Sequence, residues 1–558
     1  MTLDSPEHPR LLDGLLVTTL VAVAFVLRVI NYTNIVAYPD EFTYLSRALS
    51  TLGFHWAWSR SFMFDQPPLF IYLLSVVTVV VNSQLDTIRM VSIVAGSLTI
   101  GFVYLLGKTL FNRRAGLLAS IFMAFSGFDI LYSRLAQEEA VTIFFMTAAL
   151  YFFWTGVVAR RDLKRAIAGG VFLGLSVDSK YSALLLPVTY LVFFVLVGQD
   201  WKNLRVLKRE WWGTVISKEF ILLLCAAFLV FLPVLYELEI NGVNALYWDI
   251  LGKFVNGYSP FYRSFNKPDI IVVALSGYSN TVSFVSSFNP SSVFPLFGAY
   301  STLTFVSLLG ILVYFTYSMI KLRKGETFIT LLFGISALVF LVYPNRYQYY
   351  QLYTFPAYPL MFGLLLDRAW RRLLPGGRRA LRSVRISALG TFTVMFLVLS
   401  LGIIGGVSSA RSGQGANDEL LTFFQYIKAN PIANLSIGVT PVSNLNFVSY
   451  YLQQVNVSAR IVELSGVGSA ADSPSVRILE APIATNGTRS VVVTLEPLVV
   501  NHAQFVVLDQ TEYQDTFTTS MKLWLGQNYQ PLLESPGFLI LQRTGLQLTP
   551  APLGLQYP

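Results

Sequence analysis

Apolar residues in this chain gather in long runs that are separated by short polar segments. A helix needs about 20 apolar residues to cross a bilayer. The runs therefore predict a polytopic α-helical membrane protein with about eleven transmembrane helices. The predicted spans are Leu11–Ile30, Ile88–Leu106, Ala115–Tyr132, Ala140–Val158, Ala166–Val177, Ala183–Val197, Phe220–Tyr236, Val293–Ile320, Phe328–Tyr343, Leu352–Leu366 and Ile386–Val407.

The apolar run Leu69–Val81 is short for a span, so it predicts an interfacial or re-entrant helix in the first outer loop. Lysine and arginine support this interpretation. With the run kept on one side, one set of alternate loops holds 22 of these residues and the opposite set holds 8. Because cytoplasmic loops carry the excess of Lys and Arg, the chain is predicted to begin inside and end outside. Met1–Arg10 lacks the character of a cleavable signal, so the first apolar run is interpreted as a retained span.

The pattern changes after residue 407. Residues 408–558 contain no long apolar run and hold seven basic and ten acidic residues. An amphipathic helix is predicted at Asn417–Asn430, and further helical stretches at Asn444–Gln454 and Tyr513–Leu525. Short strands are predicted at Leu435–Val439, Ile461–Leu464, Val491–Leu495, Phe505–Leu508 and Phe538–Gln542. We therefore expect a membrane domain over 1–407 and a small extracytoplasmic α/β domain over 408–558.

Composition sharpens this picture. Hydrophobic residues make up 54% of the 558-residue chain and charged residues only 13%, against roughly 25% charged in a soluble domain. A soluble enzyme, a disordered chain and a coiled coil are thereby excluded. The formal net charge of +9 comes from the predicted cytoplasmic loops, so it is interpreted as a topology signal and not as a nucleic-acid-binding surface. The single cysteine, Cys225, excludes an intrachain disulfide.

Ionisable residues at membrane depth mark functional sites, and several polar clusters fall on the predicted outer side. Asp40 and Glu41 follow the first span, with Tyr44 close behind; taken alone, such a pair after Pro39 also suits an ordinary helix start. The other clusters are Asp65-Gln66 before Pro67-Pro68, Arg134 with Glu138-Glu139, Lys180 in Asp178-Ser-Lys-Tyr, and Arg346-Tyr347. For these the bland alternatives are a helix start, a loop ion pair and an interfacial anchor.

The loop Glu237–Pro290 is about fifty residues long and carries Tyr258 and Arg263 among other aromatic residues. Loops of this length are usually functional or disordered. The aromatic content favours an ordered loop.

These outer elements, in this order, resemble one family. It is the membrane glycosyltransferases with the C-type fold, in the branch of protein O-mannosyltransferases and the aminoarabinose transferase of lipid A. The resemblance covers about Leu11 to Val407. It is carried by Asp40-Glu41, Asp65 before Pro-Pro-Leu, Arg89, Arg134 with Glu139, Lys180 in Ser-Lys-Tyr, and Arg346-Tyr347 with Pro356 and Pro359. Glu139 is preferred to Glu138 because the following Ala140 and apolar run match the family spacing.

The resemblance implies a single sugar moved, with inversion, from a polyprenyl-phosphate donor of the dolichyl or undecaprenyl type. The sugar would be a hexosyl, mannosyl or pentosyl group, and the acceptor a protein, a lipid or a glycan at the outer face of the cell membrane. Asp40, Glu41, Asp65 and Glu139 are then the candidate catalytic residues. Arg346, Tyr347, Lys180 and Arg134 are the candidates for the donor phosphate, since guanidinium binds phosphate in a fork. Tyr44, Gln66, Tyr258 and Arg263 are the candidates for substrate contacts, and the family often has His or Lys where this chain has Gln66.

Alternatives remain at this point. A divalent cation could be held by Asp40, Glu41, Asp65 and Glu139, as in the oligosaccharyltransferases, although the branch resembled mostly works without a metal. An oligosaccharyltransferase-like enzyme or a glycan polymerase is the second enzymatic hypothesis. A transporter, or a receptor with an outer sensing domain, is the non-enzymatic one. Transporters place ionisable residues near the bilayer midplane, often in repeated halves, and this chain shows no internal repeat.

Overall fold

The computed structural model describes part of the chain. The described residues are 8–34, 41, 44–45, 47–48, 67–81, 85–198, 217–241, 316–317, 323–342, 352–373, 389–390, 392–393, 417–432, 435–439, 448, 452, 457, 459–463, 503–509, 525–534 and 538–546. The chain divides into two compact units. One comprises Met1–Tyr32, His55–Tyr258 and Asn266–Ser412, and the other comprises Thr33–Phe54, Ser259–Phe265 and Gly413–Pro558.

The described part of the first unit is helical. Its α-helices are α1 (His8–Val29), α2 (Leu69–Val80), α3 (Leu85–Leu110), α4 (Arg113–Ala124), α5 (Gly127–Ser133), α6 (Glu138–Phe153), α7 (Leu163–Ser179), α8 (Leu185–Gly198), α9 (Lys218–Asn241), α10 (Lys324–Val342) and α11 (Ala357–Leu373). A π-helical turn, Trp154–Ala159, extends α6, and a 3-10 turn, Tyr181–Leu184, leads into α8.

Four of the described helices are long and apolar enough to cross a membrane. These stretches are Leu12–Val29, Leu85–Leu110, Glu138–Ala159 and Lys218–Leu235, while Leu69–Val80 and Tyr181–Val197 are shorter apolar helices. The two stretches in α3 and α6 are mostly buried, whereas few residues of those in α1 and α9 are buried. Leu15 of α1 and Leu229 of α9 are two of the exposed apolar residues. Apolar surface of this extent is rare on soluble monomers and suits contact with lipid.

The predicted span Ala115–Tyr132 is wrong as one continuous helix. The structure breaks it into α4 and α5 at Phe125 and Ser126. Ser126 lies in an extended conformation, and its hydroxyl accepts a hydrogen bond from the backbone of Asp129 at 3.4 Å. Serine at a helix start satisfies an otherwise unpaired backbone N–H. Most of the predicted spans Val293–Ile320 and Ile386–Val407 lie outside the described residues.

Small residues let α7 approach α9 closely. A Cβ added at Gly170 would lie 2.1 Å from the carbonyl oxygen of Leu223, and one added at Gly174 would lie 2.8 Å from that of Ala227. Both distances are too short for a real contact. Because lipid supplies little hydrophobic driving force between helices, close backbone packing of this kind is a main source of association.

An ion cluster connects the second turn of α1 to the junction of α3 and α4. Asp13 forms ion pairs with Lys108 and, at 3.1 Å, with Arg113, and it accepts a hydrogen bond from the hydroxyl of Tyr104 at 2.6 Å. These cations were counted as topology signals from the sequence. In the structure they also connect three helices.

The described part of the second unit contains a five-stranded mixed sheet. Its strands are β1 (Ser436–Val439), β2 (Arg460–Glu463), β3 (Phe505–Asp509), β4 (Tyr529–Glu534) and β5 (Phe538–Arg543), in the order β2-β1-β3-β5-β4. β1 is parallel to β2 and β3, whereas β5 is antiparallel to β3 and β4. Helix α12 (Asn417–Ala429) packs on this sheet through Phe423, whose ring centroid lies 5.4 Å from that of Phe505.

The strand β4 was not predicted from the sequence. It contains Pro531 and has an irregular register between Pro531 and Leu533. Proline cannot donate to a strand ladder and is confined to edges and bulges. β4 is an edge strand of the described sheet, so this position accepts a proline. The predicted strand Val491–Leu495 lies outside the described residues.

We expect Gly170→Ala to lower the thermal stability of the detergent-solubilised protein, because the new methyl group forces α7 away from α9. Overpacking typically costs about 1–3 kcal/mol. Gly334→Ala on α10 is the matched control, since among the described residues no atom beyond its own stretch of helix lies within 4 Å of the added Cβ. The control should keep or raise the unfolding temperature, because alanine is the better helix former by roughly 1 kcal/mol. Equal unfolding temperatures for the two variants would contradict the tight α7–α9 contact.

Candidate functional site

Three ionised side chains meet where the start of α6 faces the end of α7. The ammonium of Lys180 lies 2.7 Å from a carboxylate oxygen of Glu138 and forms a second ion pair with Glu139. The side chains of both glutamates are almost completely buried, and that of Lys180 is 14% exposed. We call Lys180, Glu138 and Glu139 the carboxylate–lysine cluster.

Helix geometry explains why these residue types occupy these ends. Glu138 and Glu139 lie in the first turn of α6, next to its unpaired backbone N–H groups. Lys180 follows the last turn of α7, and its backbone N–H donates to the carbonyl of Ser176 at 3.0 Å. A helix carries partial positive charge at its start and partial negative charge at its end. Each charge of the cluster therefore has a favourable helix end as well as an opposite partner.

Two tyrosines border the cluster from other segments. The charge of Glu139 acts on the hydroxyl of Tyr132, at the end of α5. The charges of Lys180, Glu138 and Glu139 act on the hydroxyl of Tyr353, which is fully buried in the turn before α11. The cluster thus lies where α5, α6, α7 and the turn before α11 meet.

Arg134 has a structural role that the sequence did not predict. Its guanidinium donates to the backbone carbonyls of Leu27, Arg28 and Ile30, at 3.0 Å for Leu27 and 3.1 Å for Arg28. Carbonyls at a helix end lack partners within the helix. Arg134 therefore caps the end of α1, and its proposed contact with a donor phosphate remains a prediction.

Two more buried arginines hold the same end of α1. Arg28 forms an ion pair with Asp129 of α5. Arg89 of α3 donates to the carbonyl of Tyr32 at 3.1 Å, within the 3-10 turn Tyr32–Asn34 that follows α1. Asn31, between helix and turn, has φ 55°, a left-handed conformation that asparagine adopts at helix ends. Arg28, Arg89 and Arg134 thus hold the end of α1 and the turn that follows it.

The predicted site residues fall into four groups. Arg134 caps the end of α1. Glu139 and Lys180 are brought together, and Glu138 joins them. Glu41 and Tyr44 are buried within the second unit. The remaining predicted residues lie outside the described part of the chain; they are Asp40, Asp65, Gln66, Tyr258, Arg263, Arg346 and Tyr347.

The sequence preferred Glu139 to Glu138 and overlooked Tyr353. Lys180 pairs with both glutamates, so family spacing could not rank them. Among the described residues, no three His, Cys, Asp or Glu side chains gather at metal-binding distances. Two of the four acids proposed to hold a cation, Asp40 and Asp65, lie outside those residues.

Comparisons with known proteins bear on this arrangement. Residues 65–236, which contain α2 to α7 and the whole carboxylate–lysine cluster, match the family model described as dolichyl-phosphate-mannose-protein mannosyltransferase. A search of the curated proteins finds no match.

Solved structures share the fold over nearly the whole chain. ArnT from Cupriavidus metallidurans, crystallised with undecaprenyl phosphate, has a TM-score of 0.55 at 14% identity, covering 95% of this chain and 98% of that one. An oligosaccharyltransferase from Archaeoglobus fulgidus, tethered to an acceptor peptide, has a TM-score of 0.50 at 15% identity and covers 95% and 74%. At these identities the likeness concerns the fold. The matched segment and the shared fold together support the resemblance to the membrane glycosyltransferases with the C-type fold.

Proposed function

We propose that the protein moves a single sugar, with inversion, from a polyprenyl-phosphate donor to an acceptor at the outer face of the cell membrane. The observation that carries this proposal is the buried carboxylate–lysine cluster inside the segment that matches the mannosyltransferase family model. Buried charges in a membrane domain are costly and usually functional. The undecaprenyl phosphate bound to the similarly folded ArnT supports a donor of this chemical class.

The proposed reaction is one displacement. The acceptor hydroxyl attacks the anomeric carbon, its proton passes to the carboxylate of Asp40, and the bond from that carbon to the phosphate oxygen breaks. A positioned carboxylate typically contributes about 10²–10⁴-fold as a general base. One displacement at the anomeric carbon inverts its configuration. The polyprenyl phosphate leaves with an extra negative charge that a positioned cation stabilises.

The charges of the cluster bear on which cationic side chain binds the phosphate of the donor. One ammonium faces two carboxylates at Lys180, so the cluster has no surplus of positive charge for an anion. We therefore propose Arg346 as the principal phosphate ligand, with Tyr347 beside it and Lys180 assisting. The fully buried Tyr353, seven residues after Arg346, borders the cluster. A seven-residue segment spans at most about 25 Å, so Arg346 is limited to that distance from Tyr353.

The remaining predicted roles belong to the same proposal. Glu41, Asp65 and Glu139 are assigned to the catalytic region, and Tyr44, Gln66, Tyr258 and Arg263 to substrate contacts. Glu139 is best suited to hold Lys180, because its carboxylate is already engaged by that ammonium. The distribution of Lys and Arg supports a cytoplasmic N-terminus and an extracytoplasmic domain over 408–558.

We expect Asp40→Asn to lower sugar transfer by about 10²–10⁴-fold, the usual contribution of a general base. The assay measures release of polyprenyl phosphate by purified protein from mannosyl and arabinosyl donors, with a panel of protein, lipid and glycan acceptors. Asp162→Asn is the matched control. Asp162 caps the start of α7 by accepting from the backbone of Lys164 at 3.0 Å, and asparagine caps equally well.

Unchanged transfer by Asp40→Asn would show that the assigned base is wrong. If the wild-type protein releases no polyprenyl phosphate from any donor, the transporter or receptor hypothesis is favoured. Transfer of a preassembled oligosaccharide instead of a single sugar would favour the oligosaccharyltransferase-like alternative.

We expect Lys180→Met to destabilise the protein strongly, because two buried carboxylates lose their shared cation. Removing one partner of a buried ion pair typically costs about 3–5 kcal/mol. The triple variant Lys180→Met, Glu138→Gln, Glu139→Gln removes the unpaired charges and should recover most of the unfolding temperature. Its transfer activity should stay low, since the charged groups at the proposed site are gone. A triple variant as active as the wild type would contradict a functional role for the cluster.

A further inference from the structure

Two polar side chains beside the carboxylate–lysine cluster are buried without a partner. Gln137 directly precedes Glu138 and is 1% exposed, and neither its amide nitrogen nor its amide oxygen has a hydrogen-bond partner among the described residues. Asp178 lies two residues before Lys180 and is 8% exposed, and its Oδ1 lacks a partner in the same part of the structure. Both residues flank the meeting point of α6 and α7.

The backbone around Gln137 is well held, unlike its side chain. The hydroxyl of Ser92 on α3 donates to the carbonyl of Gln137 at 3.0 Å. Gln137 occupies the position before the first turn of α6, yet its side chain makes no capping hydrogen bond. Buried polar groups are nearly always hydrogen-bonded, because leaving one unpaired costs stability. Because the backbone of Gln137 is held and its side-chain amide is unpaired, this position is suited to bind a ligand.

The chemistry of the two groups limits what that ligand is. An amide offers both donors and an acceptor, and a carboxylate offers acceptors only. An alkyl chain satisfies neither group. A phosphate would be repelled by the carboxylate of Asp178. A ligand with several hydroxyl groups satisfies both, since each hydroxyl donates one hydrogen bond and accepts others.

We propose that Gln137 and Asp178 bind hydroxyl groups of the donor's sugar and set which sugar is accepted. This inference rests on the proposed function, and it assigns the sugar subsite to the junction of α6 and α7. The charged groups of the cluster pair with one another. The amide of Gln137 and the carboxylate of Asp178 are therefore left to bind the uncharged hydroxyl groups.

The test compares binding of a sugar-linked and a sugar-free lipid. Gln137→Met keeps the length of the side chain without its amide, and Asp178→Asn keeps the shape without the charge. Each variant should weaken binding of undecaprenyl-phosphate mannose or arabinose by about tenfold, equivalent to about 1.4 kcal/mol. Binding of undecaprenyl phosphate without a sugar should be unchanged. Without ligand, Gln137→Met should unfold at the wild-type temperature or above it, because an unpaired buried amide has been removed.

Thr147→Val is the matched control on the same helix. Thr147 is fully buried, and its hydroxyl donates to the carbonyl of Ile143 at 2.7 Å. This variant also removes one buried polar group from α6, but its partner is already supplied within the helix. Its preference for the sugar-linked lipid should equal that of the wild type.

Three results would overturn the inference. The first is equal weakening of sugar-linked and sugar-free lipid in both variants, which indicates a structural role. The second is lower unfolding temperatures with unchanged preference, which indicates that buried water satisfies the two groups. The third is a wild-type protein that binds both lipids equally. A wild type that prefers the sugar-linked lipid but transfers nothing would leave the inference standing and refute the proposed function.

Discussion

The contact between Lys180 and the paired glutamates Glu138 and Glu139 is the interaction on which the proposed chemistry depends. It joins the start of α6 to the end of α7, and it matches each charge to the helix end that favours it. The two glutamates are almost completely buried, so loss of Lys180 would leave two buried carboxylates without their cation. Gln137 and Asp178, the residues proposed to bind the sugar, are close to it in the sequence.

A second set of buried charges serves structure. Arg28, Arg89 and Arg134 hold the end of α1 and the turn behind it, through one ion pair and several backbone carbonyls. In a chain with only 13% charged residues, such use of arginine is notable, because each buried guanidinium must find partners. These contacts hold the end of α1 in place. The chain thus has few charged residues, yet three buried arginines lie together at the end of α1.

Apolar runs predicted helix positions well wherever one run forms one helix, since the hydrophobic length required by a bilayer is a strong constraint. They missed the break between α4 and α5, because a serine cap is a local signal within an apolar stretch. The edge strand β4 was missed because Pro531 argues against a strand. The capping role of Arg134 depends on carbonyls more than a hundred residues away, and no spacing rule reveals such a contact. The family resemblance named Glu139 and Lys180 as candidates for one site, but it gave them separate roles and did not predict their ion pair.

The most direct test of the central claim is an experimental structure of the protein with undecaprenyl phosphate bound. We predict that the lipid phosphate contacts the guanidinium of Arg346 beside the carboxylate–lysine cluster. The carboxylate of Asp40 should lie close enough to the phosphate oxygen for an acceptor hydroxyl and an anomeric carbon to fit between them. A phosphate bound away from both Arg346 and the cluster, or an Asp40 carboxylate beyond reach of that oxygen, would contradict the account.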